Sequence, residues 1–294
     1  MTSPDVLDSY APVVAEWYSA NARDLPWRRA GTTPWGVLVS EVMLQQTPVV
    51  RVAPAWHEWL ARWPTPAALA ADQPGEAIRA WGRLGYPRRA LRLHECAVAI
   101  TERHGGVVPS VLDELLALPG VGTYTARAVA AFAYGQRHPV VDTNVRRVAA
   151  RAVLGEPDAG PTTTAADLTL VESLLPLEPP LAALVSAALM ELGAVVCVAR
   201  TPRCGVCPLA ERCRWLISGA PAPVGPTRRP QTYAGTDRQV RGKLLAVLRE
   251  SHGPVAKDAL DAVWGDQVQR ERALAGLLED GLVVTPAPGI YALP

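Results

Sequence analysis

The sequence predicts a mainly α-helical protein that ends in a small winged-helix-like domain. Apolar residues recur at helical spacing along most of the 294 residues, and strand-like alternation is not sustained. A stretch rich in proline, glycine and threonine, residues 218–236, has the composition of a linker. Two short apolar segments near the end, 281–284 and 289–293, predict one hairpin.

The composition is that of a soluble globular protein, with 49% hydrophobic and 19% charged residues. The formal net charge is only +1, so any binding to nucleic acid requires arginines gathered on one face. The longest apolar stretch, Leu181–Ala199, is interrupted by Glu191. Because no cationic apolar leader opens the sequence, we expect a cytoplasmic protein with no membrane partner.

The first helix is predicted by apolar residues at helical spacing, and it should end before Asp24. These residues are Leu7, Tyr10, Val14, Trp17 and Tyr18. Next, residues 34–47 form an apolar run that contains a single carboxylate, Glu41. Buried there, Glu41 would have a raised pKa and could donate a proton near neutral pH. Alternatively, Glu41 is an acid at a helix start, with Ser40 as the cap.

Three further helical patterns, 50–63, 74–84 and 88–104, are separated by proline-rich breaks. The turn after the second pattern ends at Tyr86, which in isolation would be an ordinary core or surface aromatic. Cys96 lies on an apolar helical face and is predicted to be a small core residue.

The segment 110–122 predicts a helical hairpin. Ser110 can cap a short helix, and Pro119-Gly120 then ends it. Gly120 and Gly122 allow a tight turn around Val121, and the N–H groups of this turn would lie at the start of the next helix, where a phosphate binds readily. The alternative is an ordinary connection between two helices.

An aspartate follows about twenty residues later. The apolar pair Val140-Val141 ends in Asp142, and residues 143–153 form a basic amphipathic helix that carries three arginines, Arg146, Arg147 and Arg151. We therefore expect an acid at a helix start beside the predicted phosphate site. Asp142 could also be only the cap of that helix.

Four of the five cysteines are crowded between residues 197 and 213, which favours a metal site over disulfides. They are Cys197, Cys204, Cys207 and Cys213. Four thiolates suit zinc or a [4Fe–4S] cluster, but zinc sites usually have two C-x2-C pairs and this segment has one. Four nearby arginines could meet phosphates: Arg200, Arg203, Arg212 and Arg214.

The tail, residues 237–294, shows three apolar helical stripes before its hairpin. Its positive and negative charges nearly balance, which predicts that it does not read DNA.

Several motifs together resemble one family. The hairpin L-P-G-V-G at 118–122, with its later aspartate, resembles the helix-hairpin-helix DNA glycosylases. Tyr124 stands where the endonuclease III branch has a lysine nucleophile, and Asp142-Thr143-Asn144 is similar to the MutY-type adenine glycosylases. The run S-E-V-M-L-Q-Q-T at 40–47 matches that family, and the cysteine spacing is that of the superfamily's [4Fe–4S] cluster. Residues 81–86 and 190–193 resemble the W-x-G-L-G-Y and M-[DE]-L-G motifs, although Arg83 and Pro87 depart from the first.

The resemblance covers about residues 10–215 and implies a two-lobed glycosylase core at 1–217. A bundle at about 30–148 would bear the hairpin, and a cluster lobe would combine the N-terminal helix with residues 149–217. The family usually has a larger Nudix-like C-terminal domain, which this tail does not resemble. Discrimination of 8-oxoguanine is therefore expected mainly from residues 1–217.

The resemblance also implies roles for individual residues. Glu41 would protonate adenine, Asp142 and Tyr124 would stabilise the cationic sugar, and Asn144 would position the attacking water or sugar. The residues that would hold the base or fill the duplex are Arg28, Leu44, Gln45, Gln46, Thr47, Tyr86 and Glu191. Glu191 could equally only cap a helix or pair with an arginine.

The expected reaction is removal of adenine mispaired with 8-oxoguanine or guanine in double-stranded DNA, by a monomer. A thymine or uracil mismatch glycosylase of the same fold is one alternative, although it would not need Glu41. Tyr124 disfavours a bifunctional glycosylase-lyase. The alternative of another class is a non-catalytic DNA-binding regulator that uses the cluster as a sensor.

Overall fold

The computed structural model describes residues 10–222 and 233–294, and this part of the chain is mainly helical, as predicted. The first eight helices are α1 (Tyr10–Asn21), α2 (Pro34–Leu44), α3 (Val49–Arg62), α4 (Pro66–Ala70), α5 (Pro74–Trp81), α6 (Arg88–His104), α7 (Leu112–Leu116) and α8 (Thr123–Tyr134). They are followed by α9 (Thr143–Ala149), α10 (Ala165–Ser173), α11 (Pro179–Val195), α12 (Arg214–Ile217), α13 (Asp237–Glu250), α14 (Lys257–Asp261) and α15 (Gln267–Glu279). The strands are β1 (Val255–Ala256), β2 (Val284–Ala287) and β3 (Ile290–Ala292).

The contacts divide the described residues into two compact units. The first unit comprises residues 10–41, 109–117 and 121–222. The second comprises residues 42–108, 118–120 and 233–294. Over both units, no described helix has the length and apolar character needed to cross a membrane.

In the first unit, α1, α9 and α11 pack around one apolar core. Val14, Val145 and Leu192 are fully buried in it. The helix α11 is rich in alanine, and small side chains let neighbouring helices approach closely. One close approach is at Gly193, where a Cβ atom would lie 2.6 Å from the main-chain oxygen of Asn144. Only glycine fits this contact without a shift of the backbone.

In the second unit, three tryptophans anchor the packing of the helices that precede the tail. Trp59 lies edge-on to Trp63 and Trp81, with ring centroids 4.6 Å and 5.7 Å apart. All three side chains are almost fully buried. Edge-to-face aromatic pairs add to the stabilisation that burial of these large rings provides.

The tail belongs to this same unit. Its three helices are accompanied by a small antiparallel sheet of strand order β1-β3-β2. The predicted hairpin is β2 with β3, whereas the sequence did not predict the two-residue strand β1, which is too short to show alternation. The tail contacts α5 directly: the Gly75 amide donates to the Pro294 oxygen at 2.6 Å, and Arg79 donates to the Ser251 oxygen at 2.8 Å.

One local prediction, at Ser110, and one alternative interpretation, at Ser40, are wrong. Ser110 does not cap α7; its carbonyl oxygen accepts from Gln136 instead, and Val111 occupies the cap position without a side-chain hydrogen bond. Ser40 does not begin a helix either, because α2 starts six residues earlier, at Pro34. Leu7 and most of the predicted linker, residues 223–232, lie outside the described residues.

Candidate active site and iron–sulfur centre

Glu41 is a buried carboxyl group in the interior of α2. It is only 5% exposed, and apolar side chains fill most of its helix. Burial raises the pKa of Glu41 to about 7, against the opposing effects of a hydrogen bond from Tyr124 and the charge of Arg28. The negative charge of Asp142 adds to the rise. The interpretation of Glu41 as an acid at a helix start is therefore wrong, because the helix begins at Pro34.

Tyr124 lies in the first turn of α8, immediately after the hairpin, and its hydroxyl forms the hydrogen bond with Glu41. Burial raises the pKa of Tyr124 well above its ordinary value of 10.0, and the charges of Glu41 and Asp142 raise it further. The phenol therefore stays protonated and acts as a hydrogen-bond donor at neutral pH.

Asp142 is held in place by two hydrogen bonds, one to each carboxylate oxygen. Its Oδ1 accepts from the Val145 amide at 2.7 Å, and its Oδ2 accepts from Asn144 Nδ2 at 2.8 Å. The first of these bonds makes Asp142 the N-cap of α9. Burial raises the pKa of Asp142, although both hydrogen bonds oppose the rise. The cap and the candidate catalytic carboxylate are thus the same group.

The hydrogen bonds continue from Asn144 to the cysteine loop through Arg147. Arg147 Nη2 donates to Asn144 Oδ1 at 2.8 Å and to the Gly193 oxygen at 2.7 Å. Arg147 Nε donates to the Cys197 oxygen at 2.6 Å. One guanidinium therefore connects the residue that orients Asp142 to the first cysteine. Sequence reasoning assigned Arg147 only to a basic helix face and missed this role, since no local pattern carries it.

The other two arginines of that predicted basic face also turn inward. Arg146 and Arg151 are each only 5% exposed. Arg146 pairs with Asp167, and Arg151 donates to the main-chain oxygens of Val198 and Ala199. The expectation of a basic surface along this helix is therefore wrong. These guanidinium groups satisfy internal carbonyl groups, which burial would otherwise leave unpaired.

Glu191 is fully buried in α11 and is bound by two arginines. Arg23 contacts both carboxylate oxygens, at 2.5 Å and 2.9 Å, and Arg28 Nη1 lies 2.8 Å from Oε2. Burial alone would raise the pKa of Glu191, but the hydrogen bonds and charges of the two arginines outweigh it and lower the pKa to about 2. Glu191 is therefore ionised at neutral pH. Arg23 was not predicted.

The other candidate residues lie in the second unit, on two turns that share one arginine. Gln46 and Tyr86 both have positive φ angles, 55° and 49°, which are uncommon for residues other than glycine. Arg89 donates to the Gln45 oxygen at 2.5 Å and to the Gly85 oxygen at 3.0 Å, so it binds both turns. Thr47 Oγ1 donates to the Leu84 oxygen at 3.2 Å, which is a second link.

Gln46 and Tyr86 are exposed, Thr47 is buried, and Leu44 and Gln45 are intermediate. Backbone strain at two exposed polar side chains is a feature that often marks functional positions.

Of the two hairpin glycines, only the first has the geometry that favours glycine; Gly122 has an extended backbone, with a φ of -91° and a ψ of 177°, which any residue can adopt. Gly120 has a φ of 74°, and a Cβ there would lie 2.7 Å from Arg92 Cβ. Val121 is buried, whereas Gly122 is exposed and caps α8 without a side chain. The first N–H groups of α8 are consequently not covered by a capping side chain, as an anion site at a helix start requires.

The four clustered cysteines line one cavity, together with Arg151, Val196 and Trp215. Burial raises the pKa of Cys207 to about 11, and the charges of the neighbouring cysteines contribute to the rise. Within residues 10–222 and 233–294, no three such ligands are arranged around a single metal ion. Four cysteine thiolates around one cavity are the donor set that holds a [4Fe–4S] cluster. Cys96 is separate and buried, as predicted.

Comparisons with known proteins agree with this arrangement. Residues 39–173 match the model of the HhH-GPD superfamily base excision DNA repair proteins, and residues 197–213 match the iron-sulfur binding domain of endonuclease III. An adenine DNA glycosylase of Mycolicibacterium smegmatis is 59% identical over 287 residues, which cover 97% of this chain and 96% of that protein. An adenine DNA glycosylase of Mycobacterium tuberculosis is 57% identical over 95% of this chain and 91% of its own length.

Among solved structures, a thermostable thymine-DNA glycosylase is similar with a TM-score of 0.65 and 25% identity, over 73% of this chain and 98% of that one. The cysteine segment is thus an iron–sulfur domain whose cofactor is a [4Fe–4S] cluster. The predicted helix-hairpin-helix fold is confirmed. Because it is 57–59% identical to two adenine DNA glycosylases over nearly its whole length, the chain belongs to the adenine DNA glycosylase family of the HhH-GPD superfamily of base excision DNA repair proteins.

Proposed function

We propose that this enzyme hydrolyses the N-glycosidic bond of adenine mispaired with 8-oxoguanine or guanine in double-stranded DNA. The observation that carries the proposal is the position of Glu41. Its buried carboxyl group is hydrogen-bonded to Tyr124, next to Asp142, with a pKa of about 7. Two carboxyl groups in different environments can divide the work of acid and electrostatic catalysis between them.

In the proposed reaction, Glu41 protonates the departing adenine. A pKa near 7 leaves a large fraction of the group protonated at neutral pH, while keeping it acidic enough to give the proton up. General acid catalysis of this kind contributes about 10²- to 10⁴-fold to a rate. The Tyr124 hydroxyl orients the carboxyl group through their hydrogen bond.

Loss of adenine leaves positive charge on the sugar, and Asp142 provides the balancing negative charge. Preorganised charge of this kind is often the largest single contribution to catalysis. The bonds from Val145 and Asn144 fix both carboxylate oxygens before the substrate binds. Asn144 therefore acts through Asp142, in addition to any contact with the attacking water or sugar.

The remaining candidates would recognise the flipped base and the duplex. Arg28, held by Glu191, provides N–H groups for adenine. Tyr86 and Gln46 would fill the space that the base leaves in the stack. The hairpin at 120–122 would bind a phosphate.

The [4Fe–4S] cluster would be held by Cys197, Cys204, Cys207 and Cys213 and would organise the loop that they span. The arginines of that loop, Arg200, Arg203, Arg212 and Arg214, are all exposed. These positive charges would bind the phosphates of the DNA backbone. Binding of this kind weakens as the salt concentration rises.

The test is single-turnover release of base from duplexes that contain A opposite 8-oxoguanine, A opposite guanine, or T opposite guanine. The wild type should release adenine from the first two and no thymine from the third. Glu41→Gln keeps the shape of the side chain but has no proton to donate, so it should lose adenine release while still binding the mismatch. Glu58→Gln, at an exposed position of α3, is the matched control and should retain the wild-type rate.

Release of thymine would instead indicate the mismatch-thymine activity, and release of no base would indicate a non-catalytic DNA-binding protein. If Glu41→Gln keeps most of the rate, the assignment of Glu41 as the acid is wrong. We also propose that the enzyme acts in the cytoplasm and that it is a monomer. Light scattering of the free protein and of its DNA complex would test the oligomeric state.

A further inference from the structure

In the second unit, the Tyr86 ring is flanked by two guanidinium groups. The Cζ atom of Arg89 lies 5.3 Å from the ring centroid, and that of Arg238 lies 5.1 Å from it. Both distances are within the range of cation–π attraction. Tyr86 is 47% exposed and has a positive φ angle, so neither burial nor its backbone conformation by itself fixes the ring.

The two arginines differ in their other partners. Arg89 is bound by main-chain oxygens and by Thr47, so its position is set by the turns around it. Arg238 is exposed, and within the described residues its guanidinium forms no ion pair; it contacts only the rings of Tyr86 and Tyr233. The contact with Tyr86 is therefore the main constraint that this side chain provides.

Arg238 reaches Tyr86 because the tail is bound to the segment that precedes the Tyr86 turn. Arg249 Nε donates to the Ile78 oxygen at 3.1 Å, and Arg88 lies 3.1 Å from Asp280. These contacts join α13 and the end of α15 to α5 and to the start of α6. Arg238 is in the first turn of α13, so the contacts of this helix with α5 place Arg238 next to the Tyr86 ring.

We propose that Arg238 of the tail is a positioning residue for Tyr86, holding the ring in the orientation that enters the duplex. The tail then contributes to recognition of the mismatch, in contrast to the expectation drawn from its balanced charge. The net charge of the tail does not predict this role, because the role depends on the position of a single arginine. The inference rests on the proposed function, in which Tyr86 inserts into DNA.

The experiment uses the full chain with its cluster and a duplex that contains A opposite 8-oxoguanine. Arg238→Ala should lower the single-turnover rate at subsaturating enzyme by about two- to fivefold, the scale of one exposed cation–π contact. Arg238→Lys keeps a cation over the ring and should recover part of this loss. Lys243→Ala is the matched control, because it removes a cation from the same helix and a similar contact, at 5.0 Å, with Trp264.

A double-mutant cycle with Tyr86→Leu tests whether Arg238 acts through the ring. The loss of rate from Arg238→Ala should largely disappear in the Tyr86→Leu background. The thermal unfolding midpoint of Arg238→Ala should equal that of the Lys243→Ala control. Additive losses would overturn the inference and indicate a contact of Arg238 with DNA alone. Equal rates for Arg238→Ala and Lys243→Ala would also overturn it. If the wild type releases no adenine at all, the proposed function is wrong. This outcome is distinct from additive losses and from equal rates of the two variants.

Discussion

Gly193 lies against Asn144 with no space for a side chain between them. A Cβ at Gly193 would approach the Asn144 oxygen to 2.6 Å and its Cβ to 2.8 Å. Asn144 in turn donates to Asp142, so the packing of α11 on α9 positions the hydrogen bond to the candidate catalytic carboxylate. The glycine of the M-E-L-G segment is explained by this contact, since it allows the two helices to approach.

We expect Gly193→Ala to destabilise the protein by about 1–3 kcal/mol, because the added methyl group overpacks rigid backbone. It should also lower the single-turnover rate, because Asn144 must move away from Asp142. Gly265→Ala is the control, since a Cβ at Gly265 meets no atom within 4 Å. Chemical denaturation and rate measurements on both variants would test this, and equal effects would contradict the packing argument.

Stability should depend on pH through Glu41. Its pKa rises from an ordinary value of 4.5 to about 7 on folding, so the folded state favours the protonated form. The resulting stabilisation is complete below pH 4.5 and is lost as the pH rises through about 7. Relative to the wild type, Glu41→Gln should therefore gain about 3 kcal/mol over this window. Unfolding of both proteins at a series of pH values measures the difference, and a constant difference would mean that the pKa of Glu41 is not raised.

The rate of adenine release should fall at alkaline pH for the same reason. Once Glu41 is ionised it has no proton to give, so the single-turnover rate should fall about tenfold per pH unit above its pKa. A rate that stays level well above pH 7 would identify another group as the acid.

Arg147→Ala should weaken both the active site and the cluster loop. It removes hydrogen bonds to Asn144, Gly193 and Cys197, and a cost of about 1–3 kcal/mol follows for the partners left buried and unpaired. Arg147→Lys should rescue little, because a single ammonium group cannot reproduce donors that point in different directions. Arg103→Ala, at an exposed position, is the control. The measurements are unfolding, iron content and single-turnover rate, and a variant that matches the control in all three would exclude the connection.

The enzyme should not cleave the DNA strand after removing the base. Schiff-base chemistry needs an amine nucleophile, and the only lysines of the chain are Lys243 and Lys257, both in the tail. Lys257 is paired with Asp261 and Glu271, and Lys243 lies over Trp264. Borohydride should therefore trap almost no protein–DNA adduct. Efficient trapping at a residue before 218 would contradict this prediction.

Much of this protein could be predicted from the sequence because the relevant signals are local. Helical periodicity located the main helices, and α6 has the predicted bounds, Arg88–His104. The cysteine spacing indicated the cluster, since the ligands of one loop must follow one another at fixed intervals. Glu41 was identifiable because a single carboxylate in an apolar helix has few ordinary explanations.

Only the tertiary structure decided how charged groups are partnered. Three arginines, Arg146, Arg147 and Arg151, bind internal oxygens on elements up to 50 residues away. Helical periodicity reports only neighbours within a few residues, so it could not show whether these side chains face DNA or the interior. The pairing of Glu191 with Arg23, across 168 residues, is of the same kind. The contact of Arg238 with Tyr86 likewise arises from the docking of the tail on α5. Composition and spacing report which groups a chain carries, but the energy of a charge depends on its distance to other charges and on its burial, and both are properties of the folded molecule.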